Sequence, residues 1–346
     1  MGLRHASVLI AACAVAAVTS VGSAGSERTP PADRKTLDFY FIDVEGGQST
    51  LMVTPAGQSL LVDAGYGGND GRDPGRIMAA VRDAGLTQID YLVTTHFHGD
   101  HVGGVPELSR RIPIRTFVDY GEPVETGFGA RRLYDAYSVV RASGQYLLAK
   151  PGDRLPLRGV EVEVVSAGGA LITKPLKHGG GANPACAALV KKENDETENP
   201  RSVGLRLRFG RFQFVDLGDL SNANLAAVFC PENLLGRADL YLITHHGNSD
   251  TNIAAVLAGL RPRVAVMNNG VTKGGSFDTF RDLHQVAALE DVWQLHKSQN
   301  TEQNFADGRI ANLDEDAGHG LKASASENGS FTVTNGRTGE TKRYAR

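Results

Sequence analysis

Cysteine is scarce in this sequence, at three residues in 346. Cys13 lies in an apolar N-terminal stretch, so a chain cleaved behind that stretch keeps Cys186 and Cys230. In an oxidising compartment these two either pair or stay as free thiols. A basic excess is also missing. The formal net charge of -3 excludes the wide phosphate-neutralising surface of a protein that holds nucleic acid along its length. No apolar run beyond the N-terminus approaches the roughly 20 residues that span a bilayer, and no tandem repeat is present. Glycine, by contrast, is abundant: 41 residues, mostly in short clusters between apolar runs. That pattern describes many tight loops in a globular chain that is 41% hydrophobic.

The first residues carry a basic start (Arg4, His5), an apolar stretch from Ala6 to about Val18, and small residues Gly22-Ser23-Ala24. This order predicts an export signal over residues 1–24, hence a periplasmic or secreted protein. An uncleaved anchor is the alternative, and the stretch is short for it. Residues 25–35, rich in Pro, Ser and charge, read as a flexible lead. Residues 36–346 read as one domain.

Within it, Leu37, Phe39 and Phe41 alternate with Asp38, Tyr40 and Ile42, and strand-like runs follow at Ser49–Val53 and Ser59–Val62, a β-meander. Ile77, Met78, Val81 and Ala84 predict a helix over Asp73 to Ala84, with Pro74 at its start and Gly85 at its end. A strand over Ile89 to Thr94 comes next. Further helices are expected at Arg131–Ser143, Ser221–Phe229, Thr251–Leu260 and Thr279–Ala288, between strands near Glu161, Val203, Phe212, Leu240 and Val264. Such alternation is that of a layered α/β protein. Residues 168–201 form a long Gly-, Lys- and Asn-rich loop, the kind that is functional or disordered. Turns at Asn328-Gly329 and Asn335-Gly336 predict a C-terminal β-hairpin that completes a sheet.

Directly behind the strand that ends at Thr94 stands His96-Phe97-His98-Gly99-Asp100-His101. Four metal-ligating groups in six residues on one loop suit a two-metal hydrolase centre, whose ions lie about 3.5 Å apart. Neutral imidazole and carboxylate suit zinc, and also manganese or iron.

This run, with Leu60-Leu61-Val62-Asp63-Ala64-Gly65 before it, resembles the metallo-β-lactamase superfamily. The resemblance covers roughly Leu37 to Val266 and implies a four-layer αββα sandwich with one or two metals at the edge of its sheets. It implies that Asp63 orients the histidine loop by hydrogen bonding without binding metal. Asp219, in Val215-Asp216-Leu217-Gly218-Asp219, matches the aspartate that bridges both metals, which leaves Asp216 a sheet or loop residue. Tyr241 to His246 echoes Tyr91 to His96, which favours His246 over His245 as the last ligand and leaves His245 to face substrate or to pack behind the ligands. The family's further histidine between the two halves has no clear match. His178, in the Gly-rich loop, lacks the strand context, and the interval carries Asn199-Pro200-Arg201-Ser202 instead. That segment, with His245-His246-Gly247, resembles the branch containing the hydrolase-like domain of DNA-uptake competence proteins.

Asp100, His101, Asp219 and His246 are therefore expected to hold one metal tightly, and His96 and His98 a second one more weakly. The resemblance implies a metal-activated water acting on a small-molecule or phosphodiester substrate; lactones, thioesters and β-lactams are the other substrate classes. A metal-binding module without turnover is a competing reading, and a diiron redox member is another, though no flavin-binding extension is seen. Lys174, Lys177, Lys191 and Lys192 either steer an anionic substrate or form a solvated surface. Met267-Asn268-Asn269-Gly270 reads as a strand-end turn, and Trp293 and His296 as packing residues.

Overall fold

The computed structural model describes residues 1–2, 35–189, 193, 196–251, 253–315 and 317–346. The expected signal and lead, with Cys13, and the pair Lys191-Lys192 lie outside the described residues except at Met1, Gly2 and Lys35.

All five residues of the strand Leu37–Phe41 are buried. Successive side chains point to opposite faces of a strand, and here both faces are covered. Leu37, Phe39 and Phe41 enter the layer between two sheets, while Tyr40 and Ile42 enter a layer between sheet and helices. The first sheet runs, strand by neighbouring strand, 341–344, 331–335, 321–325, 37–41, 50–53, 59–62, 89–93, 114–119 and 145–148. The second runs 310–312, 291–296, 264–267, 240–242, 212–216, 204–209, 161–167 and 154–155, with 170–171 paired to 161–167. Helices Arg72–Asp83, Val105–Leu108 and Phe128–Arg141 pack on the outer face of the first sheet, through residues such as Ile77, Leu108 and Tyr137. Asn222–Phe229, Ile253–Leu260 and Phe277–His284 cover the second through Leu225, Val256 and Phe280. The result is the expected four-layer αββα sandwich.

Two expectations change in detail. The C-terminal extension is three antiparallel strands, Leu321–Ala325, Phe331–Asn335 and Thr341–Tyr344, joined to the first sheet through pairing of Leu37–Phe41 with Leu321–Ala325. The hairpin rested on the Asn-Gly turns; the last strand, Thr-Lys-Arg-Tyr, buries only Tyr344 and so carries no apolar alternation to announce it. The stretch 168–201 also contains short elements of its own, namely strands Ala170–Leu171 and Gly181–Ala182 and 3-10 turns at Pro184–Ala188 and Asn199–Arg201. Cys186 and Cys230 are joined as a disulfide, which fastens this stretch to the end of the helix Asn222–Phe229.

The strand pair 59–62 with 89–93 is parallel, as is 212–216 with 240–242. The residues following these four strand ends include Asp63, His96, Asp219 and His245. Among the described residues no helix is long and apolar enough to cross a membrane.

Candidate metal centre

The histidine loop is set by hydrogen bonds that leave its side chains few choices. Thr94 N–H donates to Val118 O, and Thr95 N–H donates to Asp63 Oδ1 at 2.8 Å, so the chain leaves the sheet at a fixed angle. His96 and His98 ride the extended piece, whereas Asp100 and His101 ride one turn of helix, Gly99–Val102. At the other half, Gly218 has φ 55°, and a Cβ there would lie 2.9 Å from Thr95 Cβ. Only glycine permits this close approach of the two halves. Gly218 O accepts from His245 N–H at 3.0 Å. His245 and His246 both adopt left-handed backbone, φ 52° and 55°, a costly conformation for non-glycine residues that tends to mark functional turns.

His101 Nδ1 donates to Asp63 Oδ2 at 2.8 Å, which turns Nε2 toward Asp100 Oδ2 at 3.3 Å and Asp219 Oδ2 at 3.2 Å. His246 Nε2 faces the same two oxygens at 3.4 and 3.3 Å. The donor atoms of Asp100, His101, Asp219 and His246 all lie within 4.8 Å of one another, and all four residues are buried. His101 Nε2, His246 Nε2 and Asp219 Oδ1 are buried without a hydrogen-bond partner. Buried polar atoms left unpaired cost free energy, and these three share one small space. Burial opposes a charged imidazole at His101, yet Asp219, Asp100 and Asp63 hold its pKa well above the ordinary value. Burial would raise Asp100 and Asp219, but His101 with His246 holds both well below the carboxylate range. The site therefore stabilises positive charge. A proton on His101 supplies it in one form, and a divalent cation fits the same donor set in another.

His96 and His98 stand beside this group, His96 Nε2 at 3.8 Å from Asp219 Oδ2 and 3.0 Å from His98 Nδ1. Burial, reinforced by His101, holds the His96 pKa well below its ordinary value, so its imidazole is neutral. All eight residues expected at the site from sequence thus converge: Asp63, His96, His98, Asp100, His101, Asp219, His245 and His246. His178 does not join them. It is exposed, with its backbone carbonyl against Gly236. Lys174 and Lys177 are exposed as well.

Asp216 is buried at the end of its strand. It accepts from Gln48 Nε2 and Gly218 N–H, and burial pushes it up to about 7. Ser202, in the segment that replaces the interval histidine, accepts from Asp219 N–H at 3.2 Å and lies 3.5 Å from His96 Nδ1. The sequence reading missed three neighbours. Lys273 pairs with Asp100 and donates to Tyr66 Oη at 3.2 Å, from the loop that follows Met267-Asn268-Asn269-Gly270. Glu125 meets His98 Nε2 at 3.4 Å, and Asp250 meets His245 Nδ1 at 2.9 Å. Asp250, four residues beyond His246, was within reach of a local reading; Lys273 and Glu125 sit in loops that carry no metal pattern. His296 Nε2 donates to Asp43 Oδ1 at 2.7 Å, with Glu45 nearby, but Arg76 already supplies a cation to both carboxylates. Trp293 donates to Tyr344 Oη from the core.

Residues 42–194, which hold Asp63 and the run His96–His101, match the family described as the metallo-beta-lactamase superfamily. An atrochrysone carboxyl ACP thioesterase of Aspergillus terreus is 37% identical over 67 residues, 19% of this chain and 20% of that protein. A hydroxyacylglutathione hydrolase of Aliivibrio salmonicida is 41% identical over 58 residues, 16% of this chain and 23% of its own length. Another of that description, from Synechococcus, is 30% identical over 135 residues, 39% and 40% of the two chains. The chain spans about a fifth to two fifths of these relatives. Among solved structures, a diphosphatase of the PhnP family is similar at a TM-score of 0.43 and 15% identity, covering 84% of this chain and 98% of that one. The metallo-beta-lactamase fold protein YhfI of Bacillus subtilis is similar at 0.46 and 12%, covering 75% and 96%. The segment that matches the metallo-beta-lactamase superfamily thus carries Asp63 and the histidine run, and two sheets between helix layers continue it through the rest of the chain.

Proposed function

We propose that the protein is an exported metal-dependent hydrolase that cleaves phosphodiesters. The observation that carries the hydrolase reading is the set of buried, unpartnered donor atoms on His101, His246 and Asp219, beside Asp100. Asp100, His101, Asp219 and His246 would hold one ion, zinc being the reading, with manganese or iron alternatives for the same donors. His96 and His98 belong to a second position that shares Asp219. A divalent cation bound there supplies Lewis acidity and makes water acidic near neutral pH. The chain's own residues do the rest. Asp63 fixes the tautomer of His101. Burial keeps His96 neutral and therefore able to donate a lone pair. Lys273, partly exposed beside Asp100 and Tyr66, presents a cation to the open side of the site and favours an anionic substrate. The resemblance of the Asn199–Ser202 segment to the competence-protein branch supports a phosphodiester in particular.

A thioester is the second reading, favoured by the names of two relatives, a carboxyl ACP thioesterase and a hydroxyacylglutathione hydrolase. Purified protein should carry zinc or manganese and hydrolyse bis(p-nitrophenyl) phosphate, with turnover lost on chelation and restored by metal. Turnover of a thioester and not of the phosphodiester would move the assignment to the second reading. Failure to retain any metal would sink both. Export rests on the sequence of residues 1–24, and the Cys186–Cys230 disulfide is in keeping with it. The mass of protein recovered from the periplasm or medium should correspond to a chain that begins near residue 25; an intact N-terminus would count against it.

A further inference from the structure

The superfamily pattern leaves the His96 and His98 position one imidazole short, and His178 stands apart from it. We infer that His245 supplies the third imidazole of that position, so that the second metal of the proposed hydrolase is held by His96, His98 and His245 around the shared carboxylate of Asp219. This rests on the metallo-hydrolase reading above and adds a ligand to it.

The argument is one of protons. An imidazole binds metal through a nitrogen that carries a lone pair, and its other nitrogen is usually held by an acceptor that fixes the tautomer. Asp250 accepts from His245 Nδ1 with both carboxylate oxygens at 2.9 Å. The proton is thus on Nδ1, and Nε2 presents its lone pair 3.5 Å from Asp219 Oδ2. Asn199 Nδ2, at 3.4 Å, faces that nitrogen as a donor would, which agrees with a lone pair there. Thr95 Oγ1 gives its own proton to Asp63 Oδ2 at 2.6 Å and so accepts from His96 Nδ1 at 3.0 Å, leaving the lone pair of His96 on Nε2. Glu125 Oε1 stands 3.4 Å from His98 Nε2, on the outer side of that ring. His96 Nε2 and His98 Nδ1 are 3.0 Å apart, within hydrogen-bond distance of each other, and a cation bound between them would take the place of the shared proton.

His245 and His96, each held by its outer nitrogen, therefore turn lone pairs toward Asp219 Oδ2, and His98 Nδ1 stands beside His96 Nε2. The left-handed backbone at both His245 and His246 sends two consecutive side chains to the same carboxylate. At 3.5 and 3.8 Å from Asp219 Oδ2, His245 and His96 stand a little farther off than His101 and His246, at 3.2 and 3.3 Å. The second position is the more open one and should be the weaker. It is not ligand-poor.

The test counts ions. The purified protein, stripped and reloaded with zinc or with cobalt, should hold two ions per chain by plasma mass spectrometry. His245→Ala should hold one, and the cobalt spectrum should lose the part that fills last. His178→Ala should hold two. Asp250→Asn should keep two at saturation but weaken the second about 10- to 100-fold. Thermal unfolding of each metal-stripped variant checks that the fold survives, and if His245→Ala does not fold, Asp250→Asn carries the test alone. Two ions of unchanged affinity in His245→Ala or in Asp250→Asn overturn the inference. So does loss of the second ion in His178→Ala, or a single ion in the parent at saturating metal, although each of these leaves the hydrolase reading standing. No ion in the parent overturns the reading itself.

Discussion

Asp63 touches no metal position directly, yet it fixes much of the site. One carboxylate oxygen accepts from Thr95 N–H, and the other accepts from Thr95 Oγ1 and His101 Nδ1. Its backbone is left-handed at φ 59°, a region that Asn tolerates well. Asp63→Asn therefore leaves the turn intact and removes the acceptor that fixes the His101 tautomer. Metal affinity at the position of Asp100, His101, Asp219 and His246 should fall by about 10- to 100-fold, read by competition with a metal-sensitive dye. An affinity equal to the parent's would show that Asp63 serves the turn alone. The role of Asp63 was legible only through family resemblance. Val-Asp-Ala-Gly by itself reads as a strand-end turn, because nothing in it announces that Thr95, 32 positions on, lies within hydrogen-bond reach.

At the scale of elements, strands with apolar residues on both faces and helices with an i, i+4 apolar stripe were plain, since their periodicity is local. The last strand, Thr341–Tyr344, was not, because pairing with Phe331–Asn335 and one tethered side chain define it. That tether is Asp291, on the second sheet, which accepts from Tyr344 Oη at 2.7 Å and Arg309 Nε at 2.8 Å and pairs with Lys342. Burial would raise its pKa, but hydrogen bonds from Lys342, Arg309 and Tyr344 hold it below the ordinary carboxylate value. A depressed carboxylate contributes stability that is fully present above the unfolded-state pKa and is lost as pH falls through the folded-state value. Asp291→Asn should cost about 1 to 3 kcal/mol near neutral pH. The gap to the parent should stay constant down to about pH 5 and then close below about pH 4. Urea unfolding at several pH values reads this, and a gap that widened in acid would contradict it. A second element is the junction behind the histidine loop. A Cβ on Gly104 would sit 2.1 Å from Ala64 O, whose own N–H donates to His101 O at 2.8 Å. Neither backbone can yield without moving His101. Gly104→Ala should destabilise the fold by at least about 2 kcal/mol and reduce bound metal together with it; a stable variant with full metal content would show the junction to be soft.

For the whole molecule, the Cys186–Cys230 bond closes a segment of 44 residues. In the chain-entropy account such a cross-link stabilises by about 4 kcal/mol. Cys186→Ser with Cys230→Ser should lower the denaturation midpoint accordingly, and the parent in reductant should match the double variant. Identical midpoints with and without reductant would show the bond to be energetically idle. The pairing was an open alternative in the sequence, since two cysteines and an export signal permit a bond without placing their Cα atoms 5.7 Å apart. The same division holds for the site. By itself the sequence determined the layered α/β class, the histidine run and the Gly-Asp and His-His segments, because these are short-range patterns whose chemistry is carried by residue type and spacing. Only the tertiary structure decided that Asp250 holds His245, that Glu125 stands beside His98, that Lys273 stands over Asp100, and that His178 stands apart. Those contacts depend on which strand ends the two sheets bring to a common edge, and on which nitrogen of His245 the carboxylate of Asp250 leaves without a proton.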